Sequence, residues 1–193
     1  MSNNGKLLAG VIAIGSLSLG ASVLPSLPAS ASTSSVEASP AKGLLATAQA
    51  HRLGFNKTVT KPTTSTKTGV TGCGKGAQVV YENTGKKTGL VSEVLVCKSA
   101  NGAASLIKRE KTVGSASSLH APKTLGSSAV ERVSGGTTYA VFWQRGKILE
   151  LVAFDANIAA STSSAANTPV TPLTATQQQA FAKAVLYQDA AAK

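Results

Sequence analysis

Side chains suited to acid–base, nucleophilic or metal chemistry are few in this sequence. Its two histidines, His51 and His120, stand far apart, and neither has a second type of metal ligand at a useful spacing. Serines are abundant, but neither a G-x-S-x-G elbow nor an H-E-x-x-H motif occurs. We therefore expect no catalytic residue, no metal, no cofactor and no enzyme. A hydrolase of unknown type is the remaining enzymatic alternative.

The two cysteines are better suited to a structural bond than to redox chemistry. Cys73 precedes a β-branched run at 77–82, and Cys97 ends a second run at 90–97. The turn-forming letters NTGKKTG separate the runs, a pattern typical of a hairpin. Because antiparallel strands bring the start of the first beside the end of the second, we predict a Cys73–Cys97 disulfide that closes the hairpin.

The first 31 residues have the layout of a secretory signal peptide. Lys6 precedes an uncharged run over 7–24, and the small-residue triplet Ala29-Ser30-Ala31 follows it. We expect cleavage near Ala31 and a secreted protein, with no transmembrane segment after the signal is removed. Retention of residues 7–24 as a membrane anchor is the alternative. Beyond the signal we expect a flexible leader over 32–41 and a single domain over 42–193.

The chain is basic, with a formal net charge of +11, and most of the excess lies between residues 52 and 111. The positive electrostatic field of such a region attracts anionic partners, for example teichoic acids or acidic glycans. A solvated surface that only keeps the protein dispersed is the competing interpretation. Only Phe55 and Tyr81 are available for stacking in this region, so we expect no sequence-specific nucleic-acid binding. The residues proposed for a basic patch are Lys86, Lys87, Lys98, Lys108, Arg109 and Lys111.

The order of the expected elements predicts an α+β fold, with an antiparallel sheet packed against helices and one disulfide-closed hairpin. Thr174, followed three residues later by Gln177, predicts a capping box at the start of the last helix. The other expected elements are a helix from Leu44 to Gly54, an extended loop or edge strand over 57–71, the cysteine hairpin, a helix near 99–111, a strand near 128–133, a hairpin over 137–155 and a loop over 157–173.

The second hairpin, TTYAVFWQRGKILELVAFD, contains the only tryptophan of the chain. With Arg145-Gly146 as a two-residue turn, Trp143 pairs with Ile148 and Tyr139 with Val152. One face then carries Ala140, Phe142, Leu149 and Leu151, which we assign to the core. The opposite face carries Tyr139, Val141, Trp143, Ile148, Val152 and Phe154, with Glu150 among them.

This second face is too apolar for an ordinary solvent-exposed surface. It is covered by other parts of the chain, or it lines a pocket for a small apolar or cationic ligand, or it is a protein interface. For the pocket, the ligand-binding residues would be Tyr139, Trp143, Glu150 and Phe154. A buried Glu150 needs a partner, and Arg132 on the preceding strand is the candidate.

The run LGSSAVERVSGGTTYAVFWQRGKILELVAFD, followed by ATQQQAFAKAVLYQ, resembles the extracytoplasmic sensor-like domains of actinobacterial lipoproteins and secreted proteins. In architecture it is similar to PsbP-like α/β/α sandwiches, over roughly residues 77–190. The resemblance implies a non-catalytic binding or sensing module at the cell envelope. Together with the residues, it predicts a secreted, monomeric binding domain. The alternative is a basic protein that binds polyanions at the cell surface.

Overall fold

The structure, a computed structural model, describes residues 35–66, 68–113, 125, 129–134, 138–156 and 172–192. Its centre is a six-stranded antiparallel sheet of order β1-β2-β3-β6-β5-β4. The strands are β1 Lys57–Ser65, β2 Cys73–Asn83, β3 Thr88–Cys97, β4 Val130–Ser134, β5 Thr138–Arg145 and β6 Ile148–Asp155. The helices are α1 Ser35–Ala38, a 3₁₀ helix Pro40–Gly43, α2 Thr47–Arg52, α3 Ala100–Val113 and α4 Ala175–Ala191. The predicted α+β class is confirmed.

The cysteine hairpin forms as predicted. β2 and β3 pair over their whole length, and Cys73 lies directly opposite Cys97. The two residues form a disulfide across the open end of the hairpin. β1 pairs with the outer side of β2 and has two register irregularities, so the Lys/Thr segment is an edge strand rather than a loop. Irregular pairing and lysines are common features of sheet edges, because they discourage pairing with another chain.

The second hairpin forms with a register different from the predicted one. Trp143 pairs with Glu150 and Arg145 with Ile148, so the turn residues are Gly146 and Lys147. Gly146 has a φ of 57°, the left-handed conformation that a tight turn demands and that glycine adopts without a Cβ clash. The prediction of Arg145-Gly146 as the turn is wrong by one residue, which shifts the pairing by two. Because side chains alternate with a period of two, the assignment of residues to faces is unchanged.

Helices cover both faces of the sheet. On the first, which we call the α4 face, side chains of the four central strands pack with α4, α2 and the 3₁₀ helix. On the second, the α3 face, Ala103, Leu106 and Ile107 of α3 pack on Val91, Leu149 and neighbouring strand residues. The sheet is therefore the middle layer of three, and its central strands are buried on both sides.

The N-terminal region is more ordered than expected. Residues 35–41, assigned to a flexible leader, include α1 and the start of the 3₁₀ helix, and Val36 is buried in the core of the α4 face. A Cβ at Gly43 would lie 3.0 Å from a Val36 methyl group, so the absence of a side chain at 43 allows this close packing. The leader prediction is wrong for these residues because Val36 provides an apolar anchor. Residues 1–34, with the predicted signal, lie outside the described part.

The predicted helix from Leu44 to Gly54 is only partly correct. Leu44 and Leu45 are buried but lie outside the helix, and α2 begins at Thr47. The predicted end is right, since Gly54 has a φ of 94° and follows the last turn. In α4 the Thr174 hydroxyl accepts from the Gln177 amide and the Gln177 side chain accepts from the Thr174 amide, which confirms the capping box. The loop predicted over 157–173 lies almost entirely outside the described residues.

Candidate functional site

The aromatic face of the second hairpin is covered by the protein itself. The residues predicted to bind a ligand are buried: Tyr139, Trp143, Glu150 and Phe154 expose 3%, 2%, 0% and 2% of their surface. Phe154 is the centre of an aromatic cluster that closes this side of the sheet. Its ring centroid lies 5.9 Å from that of Phe55, edge-on, and 6.0 Å from that of Phe181 on α4. Of the three explanations for this face, the structure shows the first: other parts of the chain cover it.

Glu150 lies in this apolar layer, and neither of its carboxyl oxygens accepts a hydrogen bond from the residues that the structure describes. Burial raises its pKa from 4.5 to about 8, although the cation of Arg145 and the nearby donors of Trp143 and Gln188 favour the charged form. Position 132 pairs with Ala140, on the α3 face, whereas Glu150 belongs to the α4 face. The strand register therefore places these two positions on opposite faces of the sheet, and the Arg132 side chain of the expected pair lies outside the described residues. On the α4 face, Arg145 pairs with Asp189 of α4.

A hydrogen-bond network fastens the N-terminal region and α4 to the centre of the sheet. The Ser92 hydroxyl donates to Gln188 Oε1 at 2.6 Å and accepts from the Leu45 amide at 2.9 Å. Gln188 Nε2 donates to the Glu93 carbonyl oxygen at 2.9 Å, and the Tyr81 hydroxyl donates to the Leu45 carbonyl at 2.7 Å. The Ser92 hydroxyl, the Gln188 amide and the Leu45 backbone groups thus satisfy one another, which is the condition for such a network to stabilise a core.

We predict that Ser92→Ala lowers the free energy of unfolding by about 1 to 3 kcal/mol, because it leaves the buried Leu45 amide and Gln188 oxygen without a partner. Chemical denaturation followed by Trp143 fluorescence measures this. Ser105→Ala is the matched control, since the exposed Ser105 hydroxyl donates to the Asn101 carbonyl oxygen of its own helix. Equal losses in both variants would show that the network adds no stability.

The residues predicted for one basic patch are distributed over the molecule. Lys86 and Lys87 are exposed in the turn between β2 and β3, while Lys98 is exposed beyond the other end of β3. The ten residues of β3 separate these positions by about 30 Å. Lys108 is exposed and Arg109 half-buried on α3, and the Lys111 side chain is not among those described. The structure therefore does not bring these residues together as a single patch.

A groove at the disulfide end of the sheet brings a different set of cations together. It has a volume of about 510 Å³ and lies between the ends of β2 and β3, the β5–β6 turn and α1. Three lysines reach it from three parts of the chain: Lys75, Lys98 and Lys147. The remaining lining residues are Ser35, Glu37, Ala38, Gly74, Val96 and Cys97. We call this site the lysine groove.

The backbone around the lysine groove is held by bonds between all its walls. The Cys73–Cys97 disulfide joins β2 to β3. The Lys98 amide donates to the Gly72 carbonyl at 2.8 Å, and the Cys97 amide donates to the Lys147 carbonyl at 2.9 Å. Glu37 of α1 forms an ion pair with Lys147, with 2.7 Å between Oε2 and Nζ. Such cross-links fix the positions from which the lysine side chains extend.

The charges of the lysine groove are unequally neutralised. Among the residues that the structure covers, Glu37 is the one acidic residue of its lining, and it pairs with Lys147. Within the described ranges, neither Lys75 nor Lys98 forms an ion pair or a side-chain hydrogen bond. No aromatic residue of the described ranges lines the groove. The groove therefore suits an anionic group held by ammonium charges, and its described walls offer no surface on which a base would stack.

Sequence reasoning identified Lys98 but missed Lys75 and Lys147. The disulfide prediction contained part of the signal, because bringing Cys73 beside Cys97 also brings Lys75 near Lys98. Lys147 lies beside these two lysines because β6 pairs with β3, which places Ile148 opposite Val96. Nothing in the separate hairpins indicates that strand order. The missed residues thus depend on tertiary pairing between distant segments.

The remaining candidate residues form no further site in the described part. His51 is exposed on α2, and His120 lies outside the described residues. Among the residues that the structure covers, no group of three or more His, Cys, Asp or Glu side chains could hold a metal ion. No helix in this part is both long and apolar enough to cross a bilayer.

The fold and the groove together define a three-layer α+β domain with a small cationic site at one end of its sheet.

No protein-family model matches the chain, and comparison with curated proteins and with solved structures found no significant match.

Proposed function

We propose that this protein is a secreted, non-catalytic binding domain of the bacterial cell envelope that holds an anionic polymer in the lysine groove. The observation that carries the proposal is the convergence of Lys75, Lys98 and Lys147 on one groove. The signal-like first 31 residues support an extracytoplasmic location, where wall polymers with phosphate or carboxylate groups are the abundant anions. The proposal unites the binding-domain and polyanion interpretations of the sequence.

The size and lining of the groove support a segment of polymer over a single ion. Its volume of about 510 Å³ lies within the range of about 300 to 1,000 Å³ that is typical of ligand pockets. Val96, Ala38 and Cys97 give it apolar wall between the ammonium groups. A chain in which charged groups alternate with short uncharged linkers, such as a polyol phosphate, matches this alternation. A nucleic acid matches it less well, because its bases need stacking partners.

Neutralising two lysines of the groove is predicted to weaken binding strongly. For Lys75→Gln/Lys98→Gln we expect the affinity for poly(glycerol phosphate), measured by calorimetry at low salt, to fall about ten-fold, equivalent to about 1.4 kcal/mol. The physical reason is the loss of two ammonium groups that have no carboxylate partner in the described part. Binding by the native protein should also weaken as salt is raised, since exposed charges are screened.

Lys86→Gln/Lys87→Gln is the matched control, because it removes the same net charge from the opposite end of β3. This control should bind nearly as well as the native protein. Equal weakening in the two double variants would mean that the polymer responds only to total charge, and the lysine groove would then not be its site. Absence of binding by the native protein at low salt would remove the polyanion function altogether.

A further inference from the structure

The lysine groove contains its own anion. Glu37 extends from α1 to Lys147, and the two charged groups lie 2.7 Å apart. Neither partner is fully buried, since the Glu37 side chain exposes 24% and that of Lys147 exposes 40% of its surface. The carboxylate therefore occupies a position that the anionic group of a ligand would otherwise take, and it remains accessible to displacement.

The local structure allows the Glu37 side chain to leave while α1 stays in place. Val36, the neighbouring residue, is buried at 2% exposure in the core of the α4 face and packs closely on Gly43. This anchor holds the backbone of α1 against the sheet. Rotation of this one half-buried side chain is thus sufficient to free Lys147, and no unfolding of the N-terminal region is needed.

We propose that Glu37 is an internal competitor that sets the affinity of the lysine groove, so that a phosphate or carboxylate of the ligand binds Lys147 only by displacing it. This inference rests on the proposed function. In the free protein Lys147 is neutralised by Glu37, whereas Lys75 and Lys98 supply the charge that first attracts the ligand. A ligand with a single anionic group then gains little from Lys147. A polymer can engage all three lysines and replace the lost ion pair.

The test is the affinity of Glu37→Gln for poly(glycerol phosphate), compared with that of Glu82→Gln. Both substitutions remove one carboxylate from an ion pair with lysine, but Glu82 pairs with Lys57 at the edge of the sheet, away from the groove. We expect Glu37→Gln to bind about three-fold more tightly than the native protein, in keeping with the small energy of exposed ion pairs. Glu82→Gln should change the affinity much less.

A double-mutant cycle between Glu37 and Lys147 makes the test specific. Lys147→Gln should weaken binding less in the native background, where the ligand reaches Lys147 only by breaking its ion pair with Glu37, than in the Glu37→Gln background, where the weakening should be several-fold. If the native protein binds the polymer but Glu37→Gln binds no better than Glu82→Gln, the competitor role is refuted and the proposed function survives. If Lys75→Gln/Lys98→Gln binds as the native protein does, the proposed function itself fails.

Discussion

Replacement of both cysteines, Cys73→Ala/Cys97→Ala, is expected to lower the free energy of unfolding by about 3 to 4 kcal/mol. The disulfide joins residues 24 positions apart, and a ring of this size restricts the unfolded chain considerably. It also joins β2 and β3 at the end where the lysine groove lies. Guanidinium denaturation followed by the fluorescence of the buried Trp143 measures the loss.

The native protein unfolded with and without a reductant provides the control for the cysteine variant. Reduced native protein should unfold at nearly the same denaturant concentration as Cys73→Ala/Cys97→Ala. A loss smaller than about 1 kcal/mol in both cases would contradict the structural role of the bond, because chain-entropy arguments require more from a ring of this length. It would indicate that the hairpin is already held by its cross-strand pairing.

Glu150 is expected to make the stability of the native protein fall as the pH rises. Its pKa is about 8 in the folded protein and 4.5 when exposed, so folding favours the protonated carboxyl group. The contribution is fully present below about pH 4.5 and is lost as the pH rises toward about 8. Each unit of difference corresponds to about 1.4 kcal/mol, so the loss amounts to a few kcal/mol at most.

Glu150→Gln removes this titration and keeps the shape of the side chain. The free energy of unfolding of native protein and variant should agree near pH 4 and diverge toward pH 8, where the variant should be the more stable. Glu93, whose pKa burial raises to about 7, titrates in both proteins and cancels in the comparison. The charges facing Glu150 are Arg145, which lowers its pKa, and Asp189, which raises it. Parallel pH profiles would show that Glu150 is ionised at neutral pH in the folded state.

Local signals in the sequence were sufficient for the hairpins and for one long-range bond. The turn letters between 83 and 89 and the β-branched runs beside them predict β2 and β3, and the pairing that follows places Cys73 beside Cys97. The capping box at Thr174 predicts the start of α4 in the same way. Each of these features depends on residues close in sequence, or on a pairing that a short turn enforces.

Features that depend on competition between similar local patterns were not predictable in the same way. The β5–β6 turn is one, because a glycine at position 146 fits either place of a two-residue turn and only packing selects the register. α1 is another, since the single apolar residue Val36 decides whether this polar segment packs on the sheet. To predict that α4 covers the aromatic face, one would likewise need to know where the whole helix packs.

The candidate site depends most strongly on strand order. Lys75 and Lys98 come together through the cysteine hairpin, but Lys147 and Glu37 join them only because β6 lies beside β3 and α1 packs near both. Hydrophobic periodicity and amino-acid composition identify a basic region of the sequence, but they do not indicate which lysines come together in the fold. Of the proposed basic residues whose side chains are described, Lys86, Lys87, Lys108 and Arg109 lie elsewhere, and only Lys98 belongs to the groove.

The position of the bound anion tests the central claim most directly. Amide chemical shifts of ¹⁵N-labelled protein, titrated with poly(glycerol phosphate) at low salt, should change first and most at Gly74, Lys75, Lys98 and Lys147, the residues of the lysine groove. Lys86 and Lys87 in the opposite turn should change little. Changes concentrated at Lys86 and Lys87, or spread evenly over all exposed lysines, would contradict a binding site at the disulfide end of the sheet.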